Sequence, residues 1–120
     1  SPDSRYLAIG DITGSVTVVE LESRRIVIEL AGHGGEINTI GFSPDGRTLV
    51  TGAEDRMIRF WNFEIGAQLI ARASPENIHW ISFSHNGRWL IVGWDGAYEI
   101  IEVPDGPSGV IPAEKTFLRR

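Results

Sequence analysis

The sequence predicts an all-β chain made of about three copies of one four-stranded antiparallel unit. Three observations predict it. The segment SPDSRYLAIG from Ser1 returns as SPDGRTLVTG from Ser43 and as SHNGRWLIVG from Ser84, with starts 42 and 41 residues apart. Runs of four to six residues rich in Val, Ile, Phe and Trp are separated by Pro-Asp-Gly, Asn-Gly and Asp-Gly turn signals. No stretch sustains a 3.6-residue apolar period, so essentially no helix is expected.

The elements follow in order. In the first copy the turn Ser1-Pro2-Asp3-Ser4 leads into a strand closed by Gly10, and Val16-Thr17-Val18-Val19 forms another. The middle copy is the clearest. Strand Ile37–Phe42 is followed by the turn Ser43-Pro44-Asp45-Gly46, strand 48–51, a turn at Glu54-Asp55-Arg56, strand Met57–Asn62, and a weaker strand 67–71. In the third copy, strands 78–83, 89–92 and 98–101 repeat the series, with 37–42 and 78–83 expected innermost. Arg5, Arg47 and Arg88 recur in place, as do Leu7, Leu49 and Leu90, and Gly10, Gly52 and Gly93. Trp89-Leu90-Ile91-Val92 is apolar without alternation. Such a strand wants cover on both faces, as in a sheet stacked between two like sheets. The units divide the chain into 1–31, a partial unit without its innermost strand; 32–73, a complete unit; 74–103, a divergent unit; and 104–120. The last piece reads as a loop over 104–109 and a terminal extension or the start of a further strand. Within it Val110-Ile111 is a short outer strand that Pro112 confines to an edge.

Composition excludes several classes of function. Sixteen acidic against eleven basic residues give a formal charge of −5 over 120 residues. That is no surface for a phosphate backbone, whose affinity comes from clustered Lys and Arg. No cysteine is present, which removes disulfides, thiol nucleophiles and cysteine metal sites. No apolar run approaches the ~18 residues of a membrane span. His79 and His85 lack a nearby carboxylate cluster at ligand spacing, so no metal is expected. The lone Lys115 follows Glu114 rather than Gly, and Ile37 stands where a dinucleotide loop after Gly32-His33-Gly34-Gly35 needs its last glycine. No cofactor is expected.

A repeat of four short strands in about 40–45 residues is the signature of a propeller blade. The middle unit carries Gly32-His33, Phe42-Ser43-Pro44-Asp45-Gly46, Thr51-Gly52-Ala53-Glu54-Asp55 and Trp61-Asn62 in order. In this the chain resembles the WD-repeat β-propeller family over residues 1 to about 103. The resemblance implies a partial propeller of about three four-stranded blades. It also implies a buried hydrogen-bonded tetrad of Asp55, His33, Thr51 and Trp61. The flanking units depart from it. Ile9, Thr13 and Val19 stand at the Thr, Asp and Trp positions of the first; Ser74, Val92 and Ile101 replace His, Thr and Trp in the last, with Asp95 retained.

Asp, His and a hydroxyl also compose a hydrolase triad. Here Thr51 lies mid-strand in an apolar run, and no G-x-S-x-G elbow presents a nucleophile. The resemblance implies a non-catalytic platform that binds a protein or peptide on its rim, not an enzyme, with neither nucleic acid nor membrane as partner. The alternative is a piece of a propeller enzyme, or of an effector protein with a regulatory propeller, whose catalytic groups lie outside this chain. Carried over by position, the rim residues are Glu36, Asn38, Glu54, Arg56, Asn77, His79 and Trp94. Trp94 reads either as a solvent-facing anchor or as filling between blades. Further blades or self-association are needed to close the ring, so the isolated chain is not expected to be a well-folded monomer. A cytoplasmic location is expected.

Overall fold

The computed structural model describes residues 1–103 and the backbone of 116–119. Among the described residues there is no helix. The first sheet holds β1 (Tyr6–Gly10), β2 (Val16–Glu20) and β3 (Arg25–Leu30). The second holds β4 (Ile37–Phe42), β5 (Leu49–Ala53), β6 (Met57–Asn62) and β7 (Ala67–Ala73). The third holds β8 (Trp80–Phe83), β9 (Trp89–Trp94), β10 (Ala97–Glu102) and β11 (Thr116–Arg119). Strands consecutive in sequence pair antiparallel within each sheet. Between sheets, β4 meets β8 and β1 meets β4, which places β4 and β8 innermost in their sheets, while β1 corresponds by the repeat to β5 and β9.

The recurring turns share one hydrogen-bond pattern. Ser1 Oγ donates to Asp3, and Asp3 accepts from the Arg5 N–H; Ser43 with Asp45 and Arg47, and Ser84 with Asn86 and Arg88, repeat the arrangement. The serine oxygen then accepts from the amide that opens the next strand, at 2.9–3.0 Å in all three. Short Asx and Ser side chains thus reproduce the turn three times.

The core lies between sheets, in two layers. Val16, Val18, Leu30, Leu49, Trp61 and Phe63 fill the first. Phe63 there takes Tyr6 and Phe42 edge-on, with ring centroids 5.2 and 5.3 Å apart. Val50, Ile58, Phe60, Ile78, Leu90, Val92, Trp94, Ala97 and Ile101 fill the second. Leu49 and Val50 point into different layers, so β5 is buried throughout, as a strand between two sheets must be.

The recurring glycine has a packing reason. A Cβ on Gly10 would stand 2.5 Å from Ile37 Cγ2, and one on Gly52 would stand 2.7 Å from Ile78 Cγ2. Gly10 and Gly52 therefore each admit an isoleucine from the unit that follows, whereas Gly93 lies against Trp80 of its own sheet.

The outer faces of the first and third sheets are apolar and open. Leu7, Ile9, Ile26 and Val27 stand exposed on one, and Trp80 on the other. On the third sheet an apolar hollow of about 390 Å³ is lined by Phe83, Ser84, Trp89, Ile91 and Ile100.

Three elements differ from expectation. The strand read as weak extends to Ala73, because its amides complete the ladder with β6. The third sheet begins at Trp80 rather than Ile78, whose side chain is instead packed against Gly52. The end of the chain, read as a terminal extension or the start of a further strand, takes the second form but joins the third sheet, as β11 paired with the edge of β10. The expected strand at Val110-Ile111 and the loop 104–109 lie outside the described residues.

Candidate functional site

One polar network is buried in the second sheet. His33, between β3 and β4, is 7% exposed, and Thr51 in β5 is fully buried. The Trp61 indole N–H donates to Thr51 Oγ1 at 3.0 Å, and Thr51 Oγ1 lies 2.6 Å from His33 Nε2. His33 Nδ1 lies 3.0 Å from Asp55 Oδ2. An ionised carboxylate only accepts, so Nδ1 carries the proton and Nε2 accepts from the threonine hydroxyl. Burial holds the imidazole below its ordinary 6.5 and thus neutral. Burial pushes the Asp55 carboxyl up, but the Gly34 and Met57 amides and His33 outweigh it and hold that carboxyl below the usual range. Every polar atom in the chain from Trp61 to Asp55 has a partner. The Thr51 hydroxyl is sealed from solvent and its proton is committed to His33, so it has no access to a substrate.

The neighbouring sheets lack this network. In the third, Val92 and Ile101 stand fully buried where the second has Thr51 and Trp61. Ser74, in the histidine's place, is buried and its hydroxyl finds no partner among the described residues. In the first, Ile9 is exposed and Thr13 bonds locally to Asp11.

The positions expected on the rim divide into two groups. Glu36, Asn38, Glu54, Arg56, Asn77 and His79 are exposed. The Glu54 amide donates to the Glu36 carbonyl at 2.9 Å, which brings those two positions together. Asn38 Nδ2 donates to the Ile78 carbonyl at 3.0 Å and ties the second sheet to the third. Trp94 is the exception and corrects the expectation of a solvent-facing anchor: it ends β9 and is only 4% exposed. The preceding β9 side chains Leu90 and Val92 set its parity, so its ring continues the inter-sheet layer. Of its two readings, packing between blades is the one the geometry supports.

Arg56, Asn77 and His79 instead share a cleft of about 340 Å³ with Glu76 and Asp95. His79 Nδ1 lies 3.4 Å from Asp95 Oδ1, both side chains being largely open to solvent. Arg56 holds a left-handed backbone, φ 64°, at the tip of the β5–β6 turn. Sequence reasoning misses Glu76 and Asp95 at this cleft. The signal for Asp95 was its place beside Trp94 in the turn that aligns with Glu54-Asp55. Among the described residues no group of acidic or histidine side chains is arranged to hold a metal, and no helix is long and apolar enough to cross a membrane.

Comparison with known proteins matches the same stretch. The family model "WD domain, G-beta repeat" matches residues 24–62. The chain is 30% identical over 106 residues to mouse (Mus musculus) apoptotic protease-activating factor 1, covering 88% of this chain and 8% of that protein. It is 31% identical over 122 residues to human (Homo sapiens) WD repeat-containing protein 36, covering 92% and 14%. It is 35% identical over 71 residues to the small ribosomal subunit protein RACK1 of Medicago sativa, covering 59% and 22%. The chain thus spans a small part of the length of the relatives it matches. WD repeats generally mediate protein–protein interaction in scaffold or regulatory roles, and such proteins are generally non-enzymatic. Three antiparallel sheets in series, a Gly-His to Trp-Asn repeat and these relatives together identify the chain as a member of the WD-repeat β-propeller family.

Proposed function

We propose that this chain is a non-catalytic scaffold segment that binds a protein or peptide through the rim bearing Glu36, Asn38, Glu54, Arg56, Asn77 and His79. The observation that carries the reading is the cleft of Arg56, Asn77, His79 and Asp95 at the boundary of the second and third blades. It presents hydrogen-bond donors and charges of both signs within a few residues, which suits a polar peptide segment at an interface rim. The net charge of −5 favours such a partner over nucleic acid or an anionic membrane. A cytoplasmic location, and closure of the ring by further blades or by a second copy, belong to the same reading. The catalytic alternative gains nothing from the tetrad, whose groups are all bonded to one another.

Site-specific photo-crosslinking tests it. Crosslinkers placed at positions 56 and 79 are expected to capture the same protein, and one at Arg47, on the opposite end of the strands, to capture none. Capture from position 47 alone would overturn the reading.

A further inference from the structure

The boundary between the second and third blades holds one carboxylate in an otherwise apolar layer. Glu99 is 5% exposed and sits on β10 between Ala97 and Ile101, which line that layer. In the ladder it lies opposite Val92 of β9, and the apolar layer it joins holds Leu90 and Trp94 of β9 and Ile58 and Phe60 of β6. From β7 it is faced by Ile70 and by Arg72, which lies opposite Ile58 in the ladder and so shares its face. The Arg72 guanidinium donates to Glu99 Oε1 through Nη2. Among the described residues of these strands, Arg72 is the charged group that meets it.

The other boundary bears a different polar mark. There His33, Thr51 and Trp61 make the buried network, and the third blade has lost those residue types. What the two boundaries share does not tell one blade from another. Each has an apolar layer, and each has a glycine that admits an isoleucine, Gly10 with Ile37 and Gly52 with Ile78. A buried ion pair also adds little net stability over well-packed apolar residues, whereas a buried charge without its partner is costly.

We propose that the Arg72–Glu99 pair specifies which blade stacks on the second: it penalises wrong stacking rather than strengthening the right one. The penalty falls mainly on Glu99: β10 laid against any other apolar face would bury its side chain, 6% exposed, without the guanidinium, whereas Arg72 is 27% exposed.

The four tryptophans, Trp61, Trp80, Trp89 and Trp94, make the test direct. In the full chain labelled with 5-fluorotryptophan, Trp94 reports on this boundary by ¹⁹F NMR, its line being assigned by its loss in Trp94→Phe. The native pair is expected to give one Trp94 line. Arg72→Leu with Glu99→Leu is expected to keep or raise the thermal midpoint while splitting that line into two or more. A single Trp94 line in the doubly apolar chain would overturn the proposal. Should that chain not fold, charge exchange decides. Arg72→Glu alone is expected to lose the native line, and adding Glu99→Arg to restore it; failure of the restoration would overturn the proposal equally.

Discussion

Gly52 and Ile78 meet across the second and third blades so closely that a single added methyl would stand 2.7 Å from the isoleucine Cγ2. The Ile78 Cβ lies nearly as near, at 3.1 Å, so rotation of the side chain offers no relief. Gly52→Ala is therefore expected to push the sheets apart and cost about 1–3 kcal/mol, the usual cost of overpacking. Chemical denaturation measures it. An unchanged midpoint would mean that the two sheets do not pack at this distance.

The tetrad is expected to act on stability and not on chemistry. His33→Ala and Trp61→Phe each strip a partner from a buried hydrogen-bond network, at about 1–3 kcal/mol apiece. Thr51→Val removes the hydroxyl that both rings share, so combining it with Trp61→Phe is expected to cost less than the two changes added. A double-mutant cycle on thermal melts checks this; strict additivity would show that the three side chains do not form one network.

The pH dependence follows from the same site. Because burial depresses the His33 imidazole below 6.5, the unfolded chain takes up a proton that the folded one refuses. Its contribution is complete above that value and is lost as pH falls through the depressed one. Asp55, also held low, adds a further loss as pH falls below 3.8. Glu99 acts oppositely: burial, outweighing the attraction of Arg72, pushes its carboxyl above 4.5. Its contribution is complete below 4.5 and is lost as pH rises through the raised value. The His33 share is isolated by comparison with His33→Gln. Native midpoints are expected to fall more steeply than those of the variant as pH is lowered from about 7 to about 5. Parallel curves would contradict a neutral, buried His33.

What the residues revealed beforehand, and what they hid, has a physical pattern. Turn signals and the 41–42-residue repeat made the strands of the second unit legible, because Pro-Asp-Gly and Asn-Gly act locally. The recurring glycine is visible in the sequence, but the reason at Gly10 and Gly52, an isoleucine from the next unit, is a contact between units that local spacing does not encode. Trp94 stood beside an Asp-Gly turn, which suggested exposure; its burial is set by strand parity and by the loss of polar groups at Val92 and Ile101. Glu99 drew no notice in a strand of mixed character. Its partner Arg72 lies on another sheet, so the ion pair exists only after stacking.

The open faces carry their own expectation. Leu7, Ile9, Ile26 and Val27 on one side, and Trp80 with the hollow of Phe83 and Ile91 on the other, form sheet surfaces that water covers poorly. The chain by itself is expected to associate rather than remain a monodisperse monomer, as multi-angle light scattering would record. A monomer with a cooperative melt would show that these faces need no cover.

The central claim is that the rim binds and the tetrad supports. The affinity of the protein crosslinked from positions 56 and 79, measured by titration calorimetry, tests it most directly. Arg56→Glu with His79→Ala is expected to weaken binding by about tenfold or more, roughly the 1.4 kcal/mol that one good polar contact carries, while the thermal midpoint stays within error. Unaltered affinity in a chain with these two side chains replaced would contradict the account.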